Sequence, residues 1–124
     1  MKKRILLVED NLATVELMEE ELRFLGYDVV VAKNGLEAVE IATSILPDLI
    51  IMDIAMPEMN GIQATSQIRI NPKTKAIPIL VATAKVMPGD REVFLAAGCD
   101  DYLAKPFTHR ELGVHIDTLL KQKG

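Results

Sequence analysis

Short apolar runs that end abruptly in a polar residue alternate along the chain with stretches of helical periodicity. Ile5-Leu6-Leu7-Val8 runs into Glu9-Asp10, Leu49-Ile50-Ile51-Met52 into Asp53, Ile79-Leu80-Val81-Ala82 into Thr83, and Tyr102-Leu103-Ala104 into Lys105. Apolar runs of this kind, alternating with amphipathic stretches, read as βα units with a parallel sheet covered on both faces.

The helices announce themselves by their caps and their spacing. Asn11 caps a first helix in which Val15, Met18, Leu22 and Leu25 follow helical spacing, Glu16, Glu19, Glu20 and Arg23 form the wet side, and Gly26 terminates. Tyr27 to Ala32 reads as a second strand. Asn34-Gly35 opens a second helix carrying Ala38, Val39, Ala42 and Leu46, and Pro47 stops it before a third strand at about 48–53. Asn60 caps a third helix that runs to about Ile70 and breaks at Asn71-Pro72. The fourth strand follows Pro78. A Pro88-Gly89 loop then leads to a fourth helix, with Val93, Phe94 and Ala97 inward and Gly98 as its end. The fifth strand is short, about 101–104, and Asp100-Asp101 suits an edge strand guarded against pairing. Thr108 to Glu111 matches a capping box for a last helix through Leu112, Ile116, Leu119 and Leu120.

Right-handed crossovers with helices on both faces require the winding to reverse somewhere, and a crevice forms at that reversal, outside the carboxyl ends of the strands. If the first strand is central, beside the third, Asp10 and Asp53 become neighbours across that crevice. Glu9, Thr83 and Lys105 then join them at the same sheet edge.

Composition narrows the function classes. The 124 residues carry a net charge of −4. One domain fits, large enough to bury roughly two-thirds of its unfolded surface. Acidic balance argues against a nucleic-acid surface, and Lys2-Lys3-Arg4 reads as the solvated flank of the first strand. No apolar run approaches the roughly 20 residues of a membrane span, so a membrane partner is not expected. Cys99, the only cysteine, permits no internal disulfide, reads as a small buried residue, and suits a reducing cytoplasm. His109 and His115, six residues apart, lack the spacing of a metal pair and read as exposed polar residues. Met52, Met56, Met59 and Met87 read as packing.

The clustered carboxylates carry the chemistry. Glu9, Asp10 and Asp53 in one crevice repel one another, so they either raise their pKa values or recruit a cation. An oxygen-only set selects a hard ion, and Mg²⁺ fits because it accepts one or two carboxylates, keeps waters and bridges to phosphate. Lys105 supplies a positive charge for Asp53 or for a phosphate oxygen, and Lys105-Pro106 can adopt the cis form. Thr83 offers a hydroxyl beside small Ala84, which leaves room for a phosphoryl group. Tyr102 reads equally as packing or as a functional ring. The sequence holds no glycine-rich nucleotide-binding loop.

Val8-Glu9-Asp10-Asn11, Met52 to Gly61, Ala82-Thr83-Ala84 and Lys105-Pro106-Phe107, in this order, resemble the receiver domains of two-component response regulators over essentially the whole chain. Met87 to Asp90 and Ala97 to Tyr102 further resemble receivers of the single-domain DivK-like type and those attached to hybrid kinases. The resemblance implies a flavodoxin-like doubly wound (βα)5 sandwich, strand order 2-1-3-4-5, with residues 1–124 forming a single receiver domain without a DNA-binding or enzymatic output domain. It implies Asp53 as phosphoacceptor, taking its phosphoryl group from a phosphohistidine of a histidine kinase or histidine phosphotransfer protein. It further implies Mg²⁺ held by Asp10, Asp53 and the Ala55 backbone carbonyl, with Glu9 acting through metal-bound water. Thr83, Ala84 and Lys105 would bind the phosphoryl oxygens, Tyr102 would be the aromatic switch, and the face of helix four, strand five and helix five would meet a downstream protein target. Ala55 and Lys85 are expected to set the phosphoryl lifetime through water access.

Alternatives stay open at this point. The alternative is a receiver module excised from a larger hybrid kinase or regulator. An aspartyl-nucleophile phosphatase shares the acidic site, although Ala55 stands where such enzymes often place a second acid. A flavodoxin would need a hydroxyl-rich phosphate loop where Glu9-Asp10-Asn11 stands.

Overall fold

A computed structural model describes residues 2–54, 59–84 and 88–123. Five parallel strands, β1 (Arg4–Val8), β2 (Asp28–Ala32), β3 (Leu49–Met52), β4 (Ile79–Thr83) and β5 (Asp101–Ala104), form one sheet in the order β2-β1-β3-β4-β5. Helices α1 (Leu12–Phe24), α2 (Gly35–Ile45), α3 (Gly61–Ile70), α4 (Asp90–Ala97) and α5 (His109–Lys123) connect and follow them. This is the expected doubly wound sandwich, with the winding reversed between β1 and β3.

The two-residue period of the strands sorts their apolar side chains into two cores. Leu6, Val8, Ile50, Met52, Ile79 and Val81 pack under α2, α3 and α4 against Ala38, Ala42, Ala64, Ile68 and Phe94. Ile5, Leu7, Leu49, Ile51, Leu80 and Ala82 pack on the other face against Met18 and Leu22 of α1 and Leu112, Ile116 and Leu119 of α5. Because β1, β3 and β4 are buried on both sides, they read as unbroken apolar runs. Among the described residues, no helix is long and apolar enough to cross a membrane.

Local signals set the helix starts. Asn11 accepts from the Thr14 amide at 3.0 Å and Asn34 from the Glu37 amide at 2.8 Å. Asn60 with Gln63, and Thr108 with Glu111, form reciprocal capping boxes. Helix α4 starts instead at Gly89, which has no side chain to cap it.

Four expectations are corrected. Val93 points outward, 53% exposed, because α4 is rolled to seat Phe94 against the sheet, and adjacent helical residues lie about 100° apart. Leu46 is no core residue; it ends α2 in a left-handed conformation (φ 49°), exposed, its amide bonded to the Ala42 carbonyl. His115 is half-buried, with Nδ1 2.6 Å from Asp101 Oδ2, tying α5 to β5. Asp100 does more than guard an edge: its Oδ2 accepts from the Ile79 amide and from Arg69 Nη2, both at 2.7 Å. Met56, Met87 and Lys85 lie outside the described residues, Met52 is buried as expected, and Met59 is half-buried.

Arg69 clamps the start of β4 to the end of α4. Nε donates to the Gly98 carbonyl at 2.8 Å, and Nη1 donates to the carbonyls of Lys75 (3.0 Å) and Ile77 (2.6 Å). Removing these donors orphans carbonyls that lie partly out of water, so Arg69→Met should lower the unfolding free energy by about 2 kcal/mol. Urea unfolding measures it as a fall in midpoint with little change in slope.

Burial pushes the Cys99 thiol above its usual pKa, against the opposing effect of its hydrogen bond with Thr65. The native state therefore holds that proton more tightly than the unfolded chain. Its contribution to stability is complete below the ordinary thiol pKa and is lost as pH rises through the higher native value. Tyr27 shifts the same way through burial and then Asp117. Denaturant titrations at several alkaline pH values should show a shallower decline for Cys99→Ala than for the wild type, with the Tyr27 share left in both.

Candidate functional site

The carboxyl edge of the sheet places the functional side chains by register. Val8 stands opposite Met52 and Thr83 opposite Ala104, so the residues that follow emerge at matching heights. Sheet-like bonding continues one residue further: the Asp53 amide donates to the Val8 carbonyl, the Glu9 amide to Ala32, and the Lys105 amide to Thr83, each at 3.0 Å. Those bonds fix the backbone of the acidic and basic residues before any side chain acts.

Ligand atoms of Glu9, Asp10 and Asp53 all lie within 4.8 Å of one another. Glu9 is 3% exposed, Asp53 half-buried and Asp10 exposed, which grades the cluster from the sheet outward. Asp53 Oδ1 accepts from the Ile54 amide at 2.8 Å, leaving Oδ2 as the oxygen outside that bond. A compact, oxygen-only, anionic set of this kind matches what a hard divalent cation requires.

Lys105 joins the cluster, with a partner the sequence did not indicate. Its Nζ donates to Glu9 Oε1 at 2.7 Å, and Glu9 Oε2 accepts from the Asn11 amide at 3.2 Å. Both oxygens of Glu9 are thus engaged within the protein. The Lys105-Pro106 bond is cis, the form open to an X-Pro bond. Thr83 is buried at the end of β4 and Ala84 is exposed beside it. Tyr102 is half-buried on β5, its ring centroid 6.0 Å from that of Phe94 on α4. The expected Ala55 carbonyl lies outside the described residues.

Sequence reasoning missed the Glu9–Lys105 pair, because 96 residues separate its members. It also missed two close backbone approaches. The Gly35 amide donates to the Met59 carbonyl at 3.0 Å and the Gly61 amide to the Ile54 carbonyl at 3.1 Å. Their visible trace is the repeated Asn-Gly pair, Asn34-Gly35 and Asn60-Gly61.

A parallel 2-1-3-4-5 sheet with an acidic cluster and a lysine at its carboxyl edge defines a class of phosphoryl-accepting signalling domains. The family model described as the response regulator receiver domain matches residues 5–117, and the chain belongs to that family. It is 38% identical over 122 residues to the alkaline phosphatase synthesis transcriptional regulatory protein PhoP of Bacillus subtilis, covering 98% of this chain and 50% of that protein. The chain thus spans half the length of that relative. It is 36% identical over 108 residues to the polar-differentiation response regulator DivK of Brucella anthropi, covering 87% of this chain and 88% of that protein.

Among solved structures, the receiver domain of sensor histidine kinase PA1611 from Pseudomonas aeruginosa superposes with a TM-score of 0.91 at 40% identity, covering 98% of this chain and 99% of that one. That structure has a magnesium ion coordinated in its active-site cleft. Vibrio cholerae chemotaxis protein CheY4 matches with a TM-score of 0.90 at 28% identity, covering 96% and 99%. Receiver domains are signalling switches of two-component systems, and they bind Mg²⁺ at an acidic pocket.

The Glu9–Lys105 pair should carry measurable coupling. Lys105→Met leaves a buried carboxylate without its counter-charge and should destabilise the domain by about 2 kcal/mol, less than the roughly 3–5 kcal/mol of a fully buried pair, because Lys105 is partly exposed. Adding Glu9→Gln should recover part of that loss, and a double-mutant cycle in urea reads the coupling directly.

Proposed function

We propose that this chain is a phosphorylation-controlled protein-binding switch in which Asp53 accepts the phosphoryl group. The observation that carries this reading is the gathering of Glu9, Asp10 and Asp53 within 4.8 Å, with Lys105 beside them. Asp53 is held by the Ile54 amide through Oδ1, so Oδ2 is the oxygen that attacks phosphorus. The bond between phosphorus and the imidazole nitrogen of a phosphohistidine breaks, and that nitrogen keeps the electron pair. The donor is a histidine kinase or a histidine phosphotransfer protein.

Glu9, Asp10, Asp53 and the Ala55 backbone carbonyl are the proposed holders of Mg²⁺, Glu9 through water. When bound, Mg²⁺ supplies charge neutralisation between the acids and the incoming phosphoryl oxygens. Lys105 then exchanges its bond to Glu9 for one to a phosphoryl oxygen, while Thr83 and the backbone at Ala84 take others. Thr83 and Lys105 reach these oxygens in only one arrangement of the site, so phosphorylation shifts the equilibrium toward that arrangement. Tyr102, on β5 with its ring against Phe94 of α4, passes the change to the α4-β5-α5 face, where a downstream protein target binds. We place this activity in the cytoplasm, carried by one receiver unit.

Incubation with acetyl phosphate and Mg²⁺ should add one phosphoryl group to the wild type, seen by intact mass, and none to Asp53→Asn. Chelating the metal with EDTA should slow labelling at least tenfold. Equal labelling of both proteins would overturn the proposal.

A further inference from the structure

Two glycines outside the acidic cluster hold the chain that leaves Asp53. Gly61, the first residue of α3, donates its amide to the Ile54 carbonyl. A Cβ on Gly61 would stand 2.4 Å from the Asp53 carbonyl oxygen and 3.0 Å from the Ile54 Cα. Gly35, the first residue of α2, donates to the Met59 carbonyl, and a Cβ there would stand 2.1 Å from that same oxygen. Both neighbours are backbone atoms, which cannot turn aside as a flexible side chain can. Neither glycine has a positive φ, so close approach is the requirement at both positions.

The contacts form a sequence of backbone bonds. Asn34 caps α2 and fixes its first turn, and Gly35 fixes Met59. Asn60, next to Met59, caps α3, and Gly61 fixes Ile54, whose own amide holds Asp53 Oδ1. Ile54 and Met59 are thus each held by the start of a helix. We propose that Gly35 is a positioning residue for the cation site: by fixing Met59, and through the Asn60 cap and Gly61 the Ile54 amide that holds Asp53, it sets the fit of the acidic cleft for Mg²⁺. This rests on the Mg²⁺ reading given above.

Isothermal titration calorimetry with Mg²⁺ compares the wild type, Gly35→Ala and Leu119→Ala. The last is a buried α5 position in the opposite core and controls for general loss of stability. Gly35→Ala should bind Mg²⁺ at least fivefold more weakly, with Leu119→Ala close to the wild type. Equal affinity of Gly35→Ala and wild type, or an equal loss in both variants, overturns the inference. Wild type that takes up no Mg²⁺ defeats the metal reading itself and this inference with it.

If Gly35→Ala does not fold, the wild type answers by amide NMR. The Gly35 amide resonance should move on Mg²⁺ addition with the same midpoint as the Ile54 amide. A Gly35 resonance that stays in place while Ile54 moves overturns the inference.

Discussion

Parallel pairing of β1 with β3, with Val8 opposite Met52, forces the carboxylates that follow both strands to the same height at one sheet edge. The register has no freedom to relax. Both strands are buried on two faces, so a one-residue slip would exchange the side chains of the two cores. The hydrophobic effect therefore holds together charges that would otherwise separate. For Glu9 and Asp53, the less exposed members, like-charge repulsion at this range is on the order of a few kcal/mol at the effective dielectric of a partly buried site. Lys105, fixed on the neighbouring pair of strands, is the protein's own compensation, and a cation is the external one.

Seen this way, Glu9 and Lys105 have a joint role. With Oε1 on Lys105 and Oε2 on the Asn11 amide, Glu9 holds the lysine at the cleft in the absence of a phosphoryl group. In the proposed phosphorylated form, an anion on Asp53 would compete for the same ammonium. Helix α4 is held differently at its two ends. Its C-terminal end is fixed by Arg69 through the Gly98 carbonyl, and Asp100 links that same arginine to β4. Its start, at Gly89, has no side-chain cap.

Much of this architecture was legible in the sequence because its causes are local. Caps at Asn11, Asn34, Asn60 and Thr108 depend on residues three positions away, and the strand runs depend on burial that repeats along a few residues. What stayed hidden depends on distant partners. Val93 and Phe94 are equally apolar, and only the sheet decides which one α4 turns inward. His115 reads as an isolated polar residue until Asp101 arrives from β5. Leu46 fits the helical period, yet it ends α2 in a left-handed conformation that leaves its side chain in water. Asp100 reads as a guard because Arg69 is 31 residues away.

The repeated Asn-Gly pairs join the local and the distant. As a cap, asparagine explains itself, but the glycine after it does not: in a helix, glycine is less favourable than alanine by about 1 kcal/mol. A single such choice could be incidental. Two, each opening a helix at the carboxyl edge and each with its amide on a carbonyl of the segment that begins at Asp53, share one cause. Departures from local preference concentrate where a site demands them. Here the demand is backbone proximity to the chain leaving β3, which any side chain would prevent, so the weak helix former is retained where geometry outweighs propensity.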